Sequence, residues 1–154
     1  MQATRTNPGR APRRSTSPEL AATIQSLKET VAKLRRRSGR FELYDLLEAV
    51  YRVYIDWKRR KIAKRSARTL ADEMNIVRRK GMSPIRVLVE ATLPSADLKQ
   101  KSRWVRALEY VYSENVPPCR LRKFIRTHGG VAGCACLAAS VGRKRRRPGG
   151  DWEN

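Results

Sequence analysis

The chain has 154 residues, 40% of them hydrophobic, and carries 35 Lys and Arg against 14 Asp and Glu, a formal net charge of +21. That length and apolar share suit one domain with tails and exclude a chain too polar to fold. The charge imbalance says little about fold. It selects polyanionic partners, because phosphates relieve the self-repulsion of the cations.

Residues 1–16 are rich in Arg, Pro, Ser, Thr and Gly, with no apolar residue larger than Ala after Met1. They cannot bury enough surface to offset the entropy of ordering, so a disordered basic arm is expected there. A helical domain is expected over 17–141. Ser17 suits an N-cap, with Pro18 at the first helical position and Glu19 behind it. Leu20, Ile24, Leu27, Val31 and Leu34 recur at steps of four and three, an apolar seam. It is short enough to pack on the rest of the chain, though 17–37 could also pair two copies as a homodimer. Arg35, Arg36 and Arg37 suit the helix C-terminus and Gly39 its end.

A second helix is predicted from Phe41 to Arg65. Leu43, Leu46, Leu47, Val50, Val53, Tyr54 and Trp57 give it a broad core face. Glu48 with Arg52, and Asp56 with Arg60, sit four apart in the favourable order. Its last turns, WKRRKIAKR, are cationic on nearly every side and should project past the core. Ser66 then suits the cap of a short helix carrying Leu70, Ala71 and Met74 inward. VRRKGM reads as a basic turn. Ser83 and Pro84 restart a helix, SPIRVLVEATL, which Pro94 stops.

Ser95 would cap the next helix, with Asp97 in its first turn and Trp104, Val105, Leu108, Val111 and Tyr112 inward. Pro117 and Pro118 break the chain before CRLRKFIRTH. There Leu121, Phe124 and Ile125 would face the core, with Arg120, Arg122, Lys123 and Arg126 outside. A small-residue helix should follow the Gly129-Gly130 turn, with Cys134, Leu137 and Val141 as its apolar stripe. Residues 142–154 read as a second disordered basic tail, in which Trp152 is an isolated aromatic. No internal repeat and no strand-like alternation stands out. The expected fold is all-α, a domain of about five to seven helices.

Cys119, His128, Cys134 and Cys136 fall within eighteen residues and match the ligand count of a structural zinc site. The spacing argues otherwise. Cys134 and Cys136 point about 200° apart on a helix, and paired zinc cysteines usually stand two to four residues apart in the C-x₂₋₄-C form. Thiol catalysis lacks a group to orient His128, since no acid lies between Asn115 and Gly150. No metal, no cofactor and no enzymatic activity are expected. The chain shows no stretch long and apolar enough for a membrane span and no secretory signal. With three cysteines this places it in a reducing compartment, the cytoplasm, associated with the nucleoid in a bacterium.

Two segments resemble helix-turn-helix units in pattern. In 66–92, TLADEMN is similar to the first helix of such motifs. Its second helix is too apolar to lie in a groove, with only Arg86 and Glu90 polar, and the connecting IVRRKGM is too long. In 118–141, FIRTHGGVAGCACLA resembles the helix, glycine turn and small-residue helix of several bacterial DNA-binding proteins. Seven cations and no acid occupy 58–68, and nine and no acid occupy 120–147. The candidate nucleic-acid contacts are therefore Lys58, Arg59, Arg60, Lys61, Lys64, Arg65 and Arg68; Arg78, Arg79 and Lys80; Arg120, Arg122, Lys123 and Arg126; and Arg143, Lys144, Arg145, Arg146 and Arg147. The expected partner is duplex DNA held by its phosphates, for a regulator, a replication or transfer accessory factor, or a nucleoid component. RNA is the alternative polyanion, and an assembly subunit meeting RNA or an acidic protein is the alternative function.

Overall fold

The computed structural model describes residues 18–35 and 40–145, with the side chains of 34–35, 40–42 and 143–145 excepted. The expected Ser17 cap, Gly39 stop and N-terminal arm, and residues 146–154 of the expected C-terminal tail with Trp152, lie outside these residues; residues 142–145, expected in that tail, are instead the helical end of the last described helix. Arg146, Arg147 and the side chains of Arg143, Lys144 and Arg145 also lie outside the described residues. Among the described residues the fold is all-α. Seven helices follow in order: α1 Pro18–Arg35, α2 Arg40–Arg59, α3 Ala63–Glu73, α4 Pro84–Thr92, α5 Leu98–Ser113, α6 Leu121–Thr127 and α7 Gly130–Arg145. A 3₁₀ turn, Pro118–Arg120, leads into α6.

The helix PIRVLVEAT, α4, is apolar on most of its circumference, so it must be wrapped by others. Ile85, Val87, Leu88 and Val89 are buried, and α1, α2, α3 and α5 all contact it. It starts as expected: Pro84 occupies the first turn and the Ser83 hydroxyl accepts the Arg86 N–H at 3.4 Å. Each large side chain buried here contributes about 1.5–3 kcal/mol of transfer free energy. Onto this centre α2 brings Leu47, Val50, Tyr51, Tyr54 and Trp57. Tyr51 is missing from the predicted face yet is fully buried. Its hydroxyl donates to the Val116 carbonyl at 2.7 Å and so ties α2 to the segment after α5. Burial, with Tyr112 and Glu109 nearby, pushes the Tyr54 phenol up to about 12. In α1, Ile24 and Leu27 of the predicted seam are spent inside the chain's own core, with Leu20 and Val31 half-buried beside them.

The predicted helix 41–65 is two helices, and the WKRRKIAKR segment does not project. Lys61 adopts φ 59° and ends α2. The Ile62 N–H reaches the Trp57 carbonyl at 2.9 Å and the Lys61 N–H the Lys58 carbonyl at 3.1 Å, a Schellman closure. Ile62 and Ala63 turn inward, α3 begins at Ala63, and Ser66 is a buried residue within α3 rather than its cap. The same device recurs at Asn75 (φ 52°), before Ile76, and at Asn115 (φ 56°), before Val116. In each case a polar residue takes the left-handed position and an apolar residue after it packs back on the core. At α5 the cap is Asp97, whose carboxylate accepts the Lys99 N–H at 3.1 Å, and not Ser95.

The C-terminal hairpin of α5 and α7 rests on small residues. Ala107, Cys134 and Ala135 are buried, whereas Leu137 and Val141 stand outward, 37% and 40% exposed. Of the expected Cys134–Leu137–Val141 stripe, Cys134 therefore faces the core and Leu137 and Val141 do not. Helix α6 turns similarly: Leu121 and Ile125 are fully buried, but Phe124 is only half-buried. At the turn into α7 a Cβ on Gly133 would stand 2.0 Å from the His128 carbonyl oxygen. Gly133→Ala should therefore force the turn apart and lower stability by about 1–3 kcal/mol in denaturant melts.

One ionic cluster lies inside. The Lys101 ammonium, 4% exposed, donates to Glu90 at 2.7 Å and to the Pro94 carbonyl at 3.0 Å. Arg86 donates to the other oxygen of Glu90 at 3.1 Å and to Ser102 at 3.0 Å. Burial raises the Glu90 carboxyl, but Lys101 and Arg86 together outweigh it and hold the group below its ordinary 4.5. A folded-state value below the unfolded one stabilises the fold above that ordinary value, and the contribution is lost as pH falls beneath it. Glu90→Gln should flatten this acid limb of the stability curve. At neutral pH it should cost about 3 kcal/mol, by leaving Lys101 charged and buried without a counter-ion.

Candidate nucleic-acid interface

Helix α3 sorts its residues cleanly by face. Ala63, Ser66, Ala67, Leu70 and Ala71 are buried. Lys64, Arg65 and Arg68 fall within about 100° of arc on the opposite side, and all are exposed. Lys61, in the turn before α3, and Arg59, at the end of α2, are exposed beside them. None of these five pairs with a carboxylate among the described residues. Asp72, at the end of α3, faces the Arg78 guanidinium at 3.7 Å.

Other predicted contacts are already engaged. Arg60 binds Glu19 of α1 at 2.6 Å and Asp56 at 3.5 Å, and holds the Glu19 carboxyl below its usual range. Arg122 pairs with Asp45, and its Nε is buried without a hydrogen-bond partner. Lys58 stands over the Tyr112 ring, its ammonium 5.3 Å from the centroid. Arg79 and Lys80 are exposed in the α3–α4 loop next to Val77, which is 84% exposed. Arg120, Lys123 and Arg126 are exposed on and beside α6.

In 66–92 the second helix, α4, is buried, as its apolar sequence predicts. Arg86 and Glu90 are consumed by their ion pair and by Lys101. The first helix, α3, carries the free charge. Sequence reasoning also missed Lys99, Arg103 and Arg106, exposed on α5. Their signal was present: the steps of four and three place them opposite the buried Val105, Leu108 and Val111.

Among the described residues no three of His, Cys, Asp and Glu converge as metal ligands. Cys119 and Cys136 are exposed, Cys134 is buried, and His128 turns its Nδ1 to the Phe124 carbonyl at 2.8 Å. Burial raises the Cys134 thiol. No helix among the described residues is long and apolar enough to cross a membrane. No family model, no curated protein and no solved structure matches the chain. A thiol-specific reagent should modify Cys119 and Cys136 rapidly in the native protein and Cys134 only on unfolding. Mass spectrometry of the labelled peptides reads this directly.

Proposed function

We propose that the chain binds duplex DNA through its phosphates, with the outer face of α3 as the centre of contact. The observation that carries this reading is the set Arg59, Lys61, Lys64, Arg65 and Arg68, five exposed cations without carboxylate partners among the described residues. They surround a helix whose other side is locked into the core. The buried side fixes the helix, so the cations are presented on a rigid support while their long stems adapt to the backbone. From Lys64 to Arg68 is about 6 Å along the axis, a compact patch that can meet neighbouring phosphates. Each phosphate bound releases condensed counterions, which makes the binding strong at low salt and indifferent to sequence. The polar positions of α4, Arg86 and Glu90, are half-buried and engaged with each other and with Lys101, so affinity and not base recognition is the property supported. Arg79 and Lys80 extend the surface from the adjoining loop. Such a protein works where the DNA is, in the cytoplasm and at the nucleoid in a bacterium.

The test compares the native chain with the triple variant Lys64→Ala, Arg65→Ala, Arg68→Ala on a short labelled duplex across a salt series. Each phosphate that the variant no longer neutralises should lower the slope of log affinity against log salt by about 0.9. Thermal melts should move little, about 0.5 kcal/mol or less per exposed substitution. A native chain that ignores duplex DNA at low salt, or a triple variant that binds as well as native, rejects the reading.

A further inference from the structure

A second surface, on α5 and α6, has a different chemistry. Lys99, Arg103, Arg106 and Tyr110 follow at steps of four, three and four, within about 40° on either side of one line along α5. The stripe is about 16 Å long. Its three cations are exposed and have no carboxylate partner among the described residues. It ends at a cluster of rings. Tyr110 and Phe124 have centroids 6.0 Å apart, His128 stacks on Phe124 at 3.9 Å and 25°, and it meets Tyr110 edge-on at 6.3 Å. The His128 Nδ1–H donates to the Phe124 carbonyl, which fixes the imidazole.

The core here is closed by Leu108, Val111, Leu121 and Ile125, all fully buried. The three rings are instead only partly buried, at its edge, with Tyr110 and Phe124 packed against it. Exposed arginines flank them on both sides, Arg106 on α5 one turn before Tyr110 and Arg120 in the 3₁₀ turn four residues before Phe124. Cations in line with partly buried aromatic rings at the surface suit a strand whose bases are free, since a duplex hides its base faces within the stack. We infer that this surface binds single-stranded nucleic acid, with phosphates along Lys99, Arg103 and Arg106 and an unpaired base stacked on the Tyr110–Phe124–His128 rings. Glu114, one turn beyond Tyr110, repels phosphate at that end, so the strand runs from the rings toward Lys99. The residues are distinct from those of the duplex surface, and the inference does not rest on the duplex reading.

The test uses oligothymidylate and an abasic strand of the same length and charge at one salt concentration. The native chain should bind the thymidylate about tenfold more tightly, because only it has bases to stack. Tyr110→Leu, which keeps apolar contact, should lose most of that ratio and hold its duplex affinity within about twofold. Equal native affinity for the two strands overturns the inference, and so does a ratio that survives in Tyr110→Leu. The α3 triple variant should lose duplex affinity and keep the ratio. A native chain that shows the ratio but ignores duplex DNA overturns the duplex reading and leaves this one standing. Oligouridylate against oligodeoxyuridylate then identifies the sugar, the tighter strand naming RNA or DNA.

Discussion

Helix α4 has almost no side that can face water, and that constraint organises the rest. An apolar helix of nine residues cannot stand alone, so α1, α2, α3 and α5 are laid around it. Its polar residues are drawn into the same arrangement. Glu90 collects Lys101 from α5 and Arg86 from its own helix, and Arg86 reaches on to Ser102. The wrapping helices keep one face each for the core, and their charged residues are left on the other. A surplus of cations on a small helical domain thereby becomes a set of oriented surfaces.

Those surfaces are not equal, because the few acids are unevenly placed. Glu19, Asp56, Asp45 and Asp72 neutralise Arg60, Arg122 and Arg78. Pairs this exposed add little stability, typically about 1 kcal/mol or less, but they decide which cations remain for a partner. What remains concentrates on the outer face of α3 and along α5. The first surface has charge alone and suits a phosphate backbone. The second joins charge to aromatic rings and suits a strand with exposed bases.

The helical class, the apolar centre and the start of α4 at Ser83-Pro84 were legible in the sequence. The ends of helices were less so, for one physical reason. Lys61, Asn75 and Asn115 take the left-handed position usually sought at glycine, so the stop after α2 was read as continued helix. The signal was an apolar β-branched residue directly after each: Ile62, Ile76 and Val116. Faces at the C-terminal end were misjudged because a helix of small residues, α7, leaves periodicity weak. Leu137 and Val141 looked like core, yet α7 approaches α5 through Cys134 and Ala135. Tyr51 was overlooked because its partner, the Val116 carbonyl, lies 65 residues away. Among the candidate phosphate-binding residues, type and number were legible. Which cations were spent on acids depended on tertiary pairing, and the stripe on α5 was overlooked because its cations stand singly in sequence, at steps of four and three, and not in a run.

Lysine accessibility reads the central claim most directly. The native chain is modified with a lysine-specific reagent with and without duplex DNA at low salt, and each site is quantified by mass spectrometry. The duplex should protect Lys61 and Lys64 strongly, while Lys28 on α1 is modified at its free rate. Protection spread evenly over all exposed lysines, or absent from Lys61 and Lys64, would contradict the claim.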